Sequence, residues 1–152
     1  MRLVVQVCKE GSVTIDKKVV SKIGRGEVVL VSFTNTDDEK MVDKMIDKLL
    51  KLRIFEDENG LTNVNISSFN GEILAVSQFT LYASLKEGNR PAFVNCMNKD
   101  KAKVLYDYFV EQLKLKYPRC AFGVFHADME VALVNDGPFT VILDSKELNY
   151  ER

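Results

Sequence analysis

Tryptophan is absent, histidine occurs once, and proline and cysteine occur three times each in 152 residues. These scarcities exclude several chemistries before any motif is considered. Zinc sites need three or four clustered Cys, His or carboxylate ligands; His126 has only Asp128 near it, so no metal or other cofactor is expected. Cys8, Cys96 and Cys120 are odd in number and far apart, suggesting neither a disulfide frame nor a CxxC site, and they read as reduced thiols. No GxSxG elbow locates a serine for a triad built on His126. Apolar runs never exceed four residues, as in 28–31, far below the ~20 that cross a bilayer, so no membrane partner is expected. No charged n-region, apolar h-region and cleavage site opens the chain, and a cytoplasmic location is the default.

What is present is ordinary for a globular domain: 46% apolar and 28% charged residues. The length fits one domain, 1–152, able to bury roughly 68–70% of its unfolded surface. Strands are predicted at 3–7 and 12–15, separated by Glu10-Gly11, then around Val19-Val20 and at 27–33. Gly24-Arg25-Gly26 reads as a turn before a strand, since no third glycine and no helical pattern make it a phosphate loop. Thr36-Asp37-Asp38-Glu39 is read as a capping box, followed by a helix with Met41, Val42, Met45, Ile46, Leu49 and Leu50 on its core face. Positions 57–60 read as a surface turn and Asn70-Gly71 as a hairpin turn feeding a strand through 73–76. A second helix begins near Asn98, buries Ala102, Leu105, Tyr106, Phe109 and Leu113, and stops before Pro118. Strands at 120–125, 129–134 and 141–144 complete an α+β pattern.

Two polar segments stand at the ends of apolar strands: Ser77-Gln78-Phe79-Thr80-Leu81-Tyr82 and Asn135-Asp136-Gly137-Pro138-Phe139-Thr140. Sites are usually built where strands leave the core. Together with Gln6, the 52–60 stretch, Gly88-Asn89-Arg90-Pro91, Gly123-Val124-Phe125 and Ala127-Asp128-Met129, they make nearly the whole chain resemble the D-aminoacyl-tRNA deacylases. That resemblance implies a single domain with two packed, barrel-like β-sheets and two main helices on one side. It also implies a homodimer that hydrolyses the ester between a D-amino acid and the terminal adenosine of tRNA. Net charge is −1, from 21 basic and 22 acidic residues, so any grip on the tRNA acceptor end must be local. Lys86, Arg90, Lys99, Lys101 and Lys103 can supply that patch.

An aminoacyl ester is already activated, so a site that positions water and donates to the developing oxyanion is sufficient chemistry; one donor is worth ~10²–10³ in rate. Backbone N–H groups near Phe79 and Thr80 suit that task, with Ser77 and Gln78 holding substrate or loop. Thr80 as nucleophile is the alternative, although no adjacent base is visible to take its proton. The resemblance further implies that the substrate's ribose 2′-hydroxyl assists. It implies that a Gly137-Pro138 cis peptide from one subunit enters the site of the other, where its carbonyl oxygens reject an L side chain. Glycine has nothing to reject, so glycyl-tRNA is expected to be accepted. Phe125 and Met129 are expected at the terminal adenine. The chain departs from the common pattern at Val7, where many members carry Arg, at His126, where many have a small residue, and at Asn89, where many have a second basic residue. Two rivals remain: a non-catalytic RNA-binding domain on the same scaffold, and a hydrolase of another small ester using Thr80 or His126.

Overall fold

The computed structural model describes residues 1–151. Strands β1 (Arg2–Ile15), β2 (Lys18–Ile23), β3 (Gly26–Ser32), β6 (Glu72–Ser77), β7 (Cys120–Phe122) and β8 (Glu130–Asp144) form one six-stranded sheet. The order is β2-β1-β3-β6-β7, with β8 also on β1. Helices α1 (Glu39–Lys51) and α3 (Lys99–Lys116) pack against each other and against one face of this sheet. The architecture is α+β with a barrel-like β layer, as expected.

Two long strands give the layer its curl. The 3–7 and 12–15 runs join into a single β1, and the 129–134 and 141–144 runs into a single β8; the two strands pair antiparallel along their length. Their register shifts around Cys8, and there β1 changes the side it buries. Leu3, Val5 and Val7 face the helices, whereas Cys8 and Val13 face the interior of the β layer. Chain crossing is close there: a β-carbon on Gly11 would lie 2.8 Å from Val28 Cγ2.

Strand β3 is buried on both faces, which explains its unbroken apolar run. Val29 and Val31 meet the helices, and Val28 and Leu30 the interior. β6 runs parallel to it with the same division: Ile73 and Ala75 outward to the helices, Leu74 and Val76 inward. Gly26 begins β3 so near β6 that a β-carbon would fall 1.8 Å from the Glu72 carbonyl oxygen. The Gly-Arg-Gly stretch is therefore a close-packed turn, as its sequence suggested.

Three local expectations need correction. Asp38, not Thr36, caps α1, its Oδ1 accepting from Met41 N at 2.9 Å. Asp37 instead turns inward, where it takes the Met1 ammonium at 2.7 Å and the Thr34 N–H at 2.7 Å. Asn70-Gly71 does not turn a hairpin: it ends α2 (Ile66–Phe69), with Asn70 left-handed at φ 57° and its N–H on helix carbonyls. An Asn-Gly pair satisfies a helix C-terminus as readily as a type I′ turn, and β6 pairs with the parallel strands β3 and β7. The short antiparallel ribbon lies earlier, as β4 (Phe55–Glu56) and β5 (Thr62–Val64) around the 57–60 turn, which Asp57 Oδ1 closes by accepting from Asn59 N and Leu61 N. Finally, the 120–125 run is strand only through Phe122.

Candidate active site

At Ser77 the chain leaves the sheet and turns at once into the 3₁₀ turn Phe79–Tyr82. Gln78 N still donates to Val31 O at 2.8 Å, which continues the ladder one residue past the strand. No side chain caps the turn, so the N–H groups of Phe79 and Thr80, its first two, have no intrahelical acceptor. Gln78 Nε2 donates to Thr80 Oγ1. The Phe79 carbonyl receives two donors from separate elements, Ser32 Oγ at 3.2 Å and Cys96 Sγ at 3.3 Å. Burial pushes the Cys96 thiol up, so it stays protonated and acts as a donor. The far end of the turn is held by Arg2, which donates to the Leu81 carbonyl, lies 4.5 Å over the Tyr82 ring and pairs with Asp144 at 2.7 Å.

This turn forms one wall of a cavity of about 650 Å³, within the size range of small-ligand sites. Ser77, Gln78 and Phe79 line it from β6 and the turn, and Phe125, His126, Asp128 and Met129 from the segment after β7. Phe93, Cys96, Asn98 and Lys99 close it from the approach to α3. Phe79 meets Phe93 edge to face at 5.3 Å, and Phe125 leans on Tyr106 at 5.6 Å. The 93–98 segment is tied to the end of β3 by Met97 N to Phe33 O (3.1 Å) and Thr34 Oγ1 to Asn95 O (2.7 Å).

Ser77, Gln78, Phe79, Phe125 and Met129 are thus brought to one cavity. Thr80 does not line it and is connected to it through Gln78. Sequence reasoning missed Ser32, Phe93 and Cys96. Ser32 follows the apolar run 28–31 just as Ser77 follows 73–76, and that signal was there to be used; the 93–97 stretch carries neither periodicity nor motif. Of the five basic residues named for a patch, Lys99 lines the cavity, and Lys103 is engaged with Asp107 at 2.6 Å. Among the described residues, no cluster of three or more His, Cys, Asp or Glu could hold a metal ion, and no helix is long and apolar enough to cross a membrane.

The second polar segment lies elsewhere. Residues 136–139 bulge from β8 opposite Val7, between the pairs Gln6–Thr140 and Cys8–Asn135. Asn135 braces the loop, its Oδ1 accepting from Phe139 N at 2.8 Å and its Nδ2 donating to Thr140 Oγ1 at 2.9 Å. The Gly137–Pro138 peptide is cis, and both residues are exposed. Asp136 approaches Arg25 at 3.8 Å, which puts the loop at the Gly26 end of β3. Ser77 pairs with Val31 at the other end, about 17 Å away at ~3.3 Å per residue. Gly137 and Pro138 do not line the cavity of their own chain.

A family model described as D-Tyr-tRNA(Tyr) deacylase matches residues 4–144. The chain belongs to that family. The match takes in every residue of both polar segments. The D-aminoacyl-tRNA deacylase of Lactobacillus gasseri is 50% identical over 144 residues, covering 95% of this chain and 99% of the relative. That of Flavobacterium psychrophilum is 44% identical over 147 residues, covering 96% and 98%. A solved structure of the c-Myc DNA Unwinding Element Binding Protein superposes with TM-score 0.91 at 40% identity, covering 95% of this chain and 99% of that one. A probable eukaryotic D-amino acid tRNA deacylase has the same fold, with TM-score 0.84 at 20% identity over 93% and 97% of the two chains.

Proposed function

We propose that this protein hydrolyses the ester joining a D-amino acid, or glycine, to the terminal adenosine of tRNA, and that it does so in the cytoplasm as a homodimer. The observation that carries this reading is the cavity built on Ser77, Gln78 and Phe79, in a chain up to half identical to D-aminoacyl-tRNA deacylases over nearly its full length. Phe125 and Met129 receive the terminal adenine, and the ester lies against the 79–80 turn. Water attacks the ester carbonyl, the C–O bond to the ribose breaks, and the ribose oxygen takes the proton with help from the neighbouring 2′-hydroxyl. The N–H groups of Phe79 and Thr80 stabilise the oxyanion. Their alignment is set by the Phe79 carbonyl, held by Ser32 and Cys96, and by Gln78 on the Thr80 hydroxyl. Thr80 serves as a positioning group, since among the described residues no histidine or carboxylate hydrogen-bonds its hydroxyl.

Chirality is read by the Gly137-Pro138 loop of a second subunit. The distance between this loop and its own cavity favours that supply, as do the exposure of both residues and the internal bracing by Asn135. Main-chain carbonyls facing the substrate α-carbon leave room for hydrogen but not for an L side chain. The test is multiple-turnover release of free tRNA from D-tyrosyl-tRNA, with and without EDTA. Turnover unaffected by the chelator supports the reading; stoichiometric binding without release supports the non-catalytic RNA-binding alternative.

A further inference from the structure

His126 sits in the left-handed backbone region, at φ 64°, on the cavity wall. The other non-glycine residues with positive φ have local reasons for it: Asp16 and Lys17 make the β1–β2 turn, and Asn70 and Asn149 are of a type that tolerates this conformation. A histidine there is strained relative to glycine, and strain that persists at a cavity is a reason to ask what the side chain does.

Its ring ends a row of three. Tyr106 is buried beneath β6, the Phe125 ring lies 5.6 Å from it, and the His126 ring lies 6.4 Å beyond that, with successive planes inclined by 32° and 33°. Burial falls along the row, from Tyr106 at 3% exposed through half-buried Phe125 to exposed His126. The inner rings are committed to packing and the outermost is available to a ligand. Single-stranded RNA ends are gripped in this way, by bases stacked on aromatic side chains, histidine included. Lys99 borders the same cavity and carries the charge that a phosphodiester would meet.

We propose that His126 is a stacking platform for the nucleobase that precedes the terminal adenosine in the single-stranded 3′ end of the tRNA. The proposal rests on the deacylase reading above: if the terminal nucleoside occupies the Phe125–Met129 part of the cavity, the strand leaving it passes the exposed ring. His126 then contributes to holding the RNA and not to breaking the ester.

The test compares two substrates, a D-tyrosyl acceptor-stem microhelix with its single-stranded 3′ end, and the D-tyrosyl ester of adenosine alone. Three variants are used: His126→Gly, which removes ring and strain together, His126→Asn, which removes the ring but tolerates the backbone, and His126→Phe, which keeps a ring. Loss of one stacked base is worth about 5- to 150-fold in binding. KM for the microhelix is expected to rise by a factor in that range in the Gly and Asn variants, and to return close to the wild-type value in the Phe variant. KM for the adenosine ester is expected to move less than twofold in the Gly and Asn variants. The His126→Gly protein is expected to melt above the wild type, so weaker binding cannot be ascribed to unfolding. An unchanged microhelix KM in both ring-less variants overturns the proposal, and so does an equal rise on both substrates, which would place His126 at the terminal adenosine itself. If His126→Phe does not fold, the Gly and Asn variants decide alone. Absence of turnover by the wild type on either D-ester overturns the deacylase reading and this proposal with it; turnover with an unchanged KM overturns this proposal alone.

Discussion

The Thr80 hydroxyl accepts from Gln78 Nε2, whereas the buried Glu27 carboxylate has no partner for either oxygen among the described residues. Thr80 is visible because a hydroxyl directly follows a strand end, yet its role depends on partners that only the fold supplies. Its hydroxyl takes a bond from Gln78, and in the proposed mechanism the adjoining N–H groups are the oxyanion donors. Thr80→Ala should therefore lower kcat by no more than about tenfold, the side chain contributing alignment; a loss of ~10⁴ or more in single-turnover hydrolysis would make Thr80 the nucleophile. Glu27 gave no signal, being a charged residue at the head of an apolar strand. It is fully buried with both carboxylate oxygens unpartnered, and burial pushes its carboxyl up from an ordinary 4.5 to about 8. Between those values the folded chain keeps a proton that the unfolded chain releases, so stability should fall as pH rises through that window and level off above it. Glu27→Leu should remove most of this slope and raise Tm more at pH 8 than at pH 5. A Tm-versus-pH curve with the same slope in both proteins would contradict the assignment.

Elements were legible where one pattern had one solution. Both long helices could be placed because their apolar spacing admits a single buried face, and α3 begins where expected, with Asn98 as its cap. The Asp38 cap was obscured by the stronger-looking Thr36 box, and the winning consideration was tertiary: Asp37 is drawn into the core by the Met1 ammonium. Asp38→Ala should cost roughly 1 kcal/mol in chemical denaturation, whereas Thr36→Ala should cost less than ~0.5; the reverse order would restore the capping box. Asn70-Gly71 failed as a hairpin signal because a left-handed residue followed by glycine also ends a helix, and nothing local separates the two uses. The joining of two predicted strands into each of β1 and β8 was hidden for a related reason. A register shift interrupts the alternation near Cys8, and an interrupted alternation resembles a strand end.

For the whole molecule, the residues of the proposed site were legible as two motifs, but their separation was not. Only the register places Ser77 beside Val31 and the 136–139 bulge beside Val7, at opposite ends of the sheet. If each cavity borrows its loop from a partner, a subunit inactivated in its 77–80 turn mixed with one altered at Gly137-Pro138 should regain one intact site per heterodimer. D-selective hydrolysis should then return to roughly a quarter of the wild-type rate when the subunits mix at random, half of the dimers then being heterodimers with one intact site of two. A monomer by sedimentation that keeps full selectivity would exclude the shared site. With a net charge of −1, the proposed tRNA binding has to draw on local charges such as Lys99, and KM should rise with salt with a shallow slope, as expected for few phosphate contacts. The most direct measurement of the central claim is kcat/KM for D-tyrosyl-tRNA against L-tyrosyl-tRNA at matched concentration. The account predicts a preference of ~10³ or more for the D ester, about 4 kcal/mol and within reach of a rigid steric clash; equal hydrolysis of the two enantiomers would contradict it.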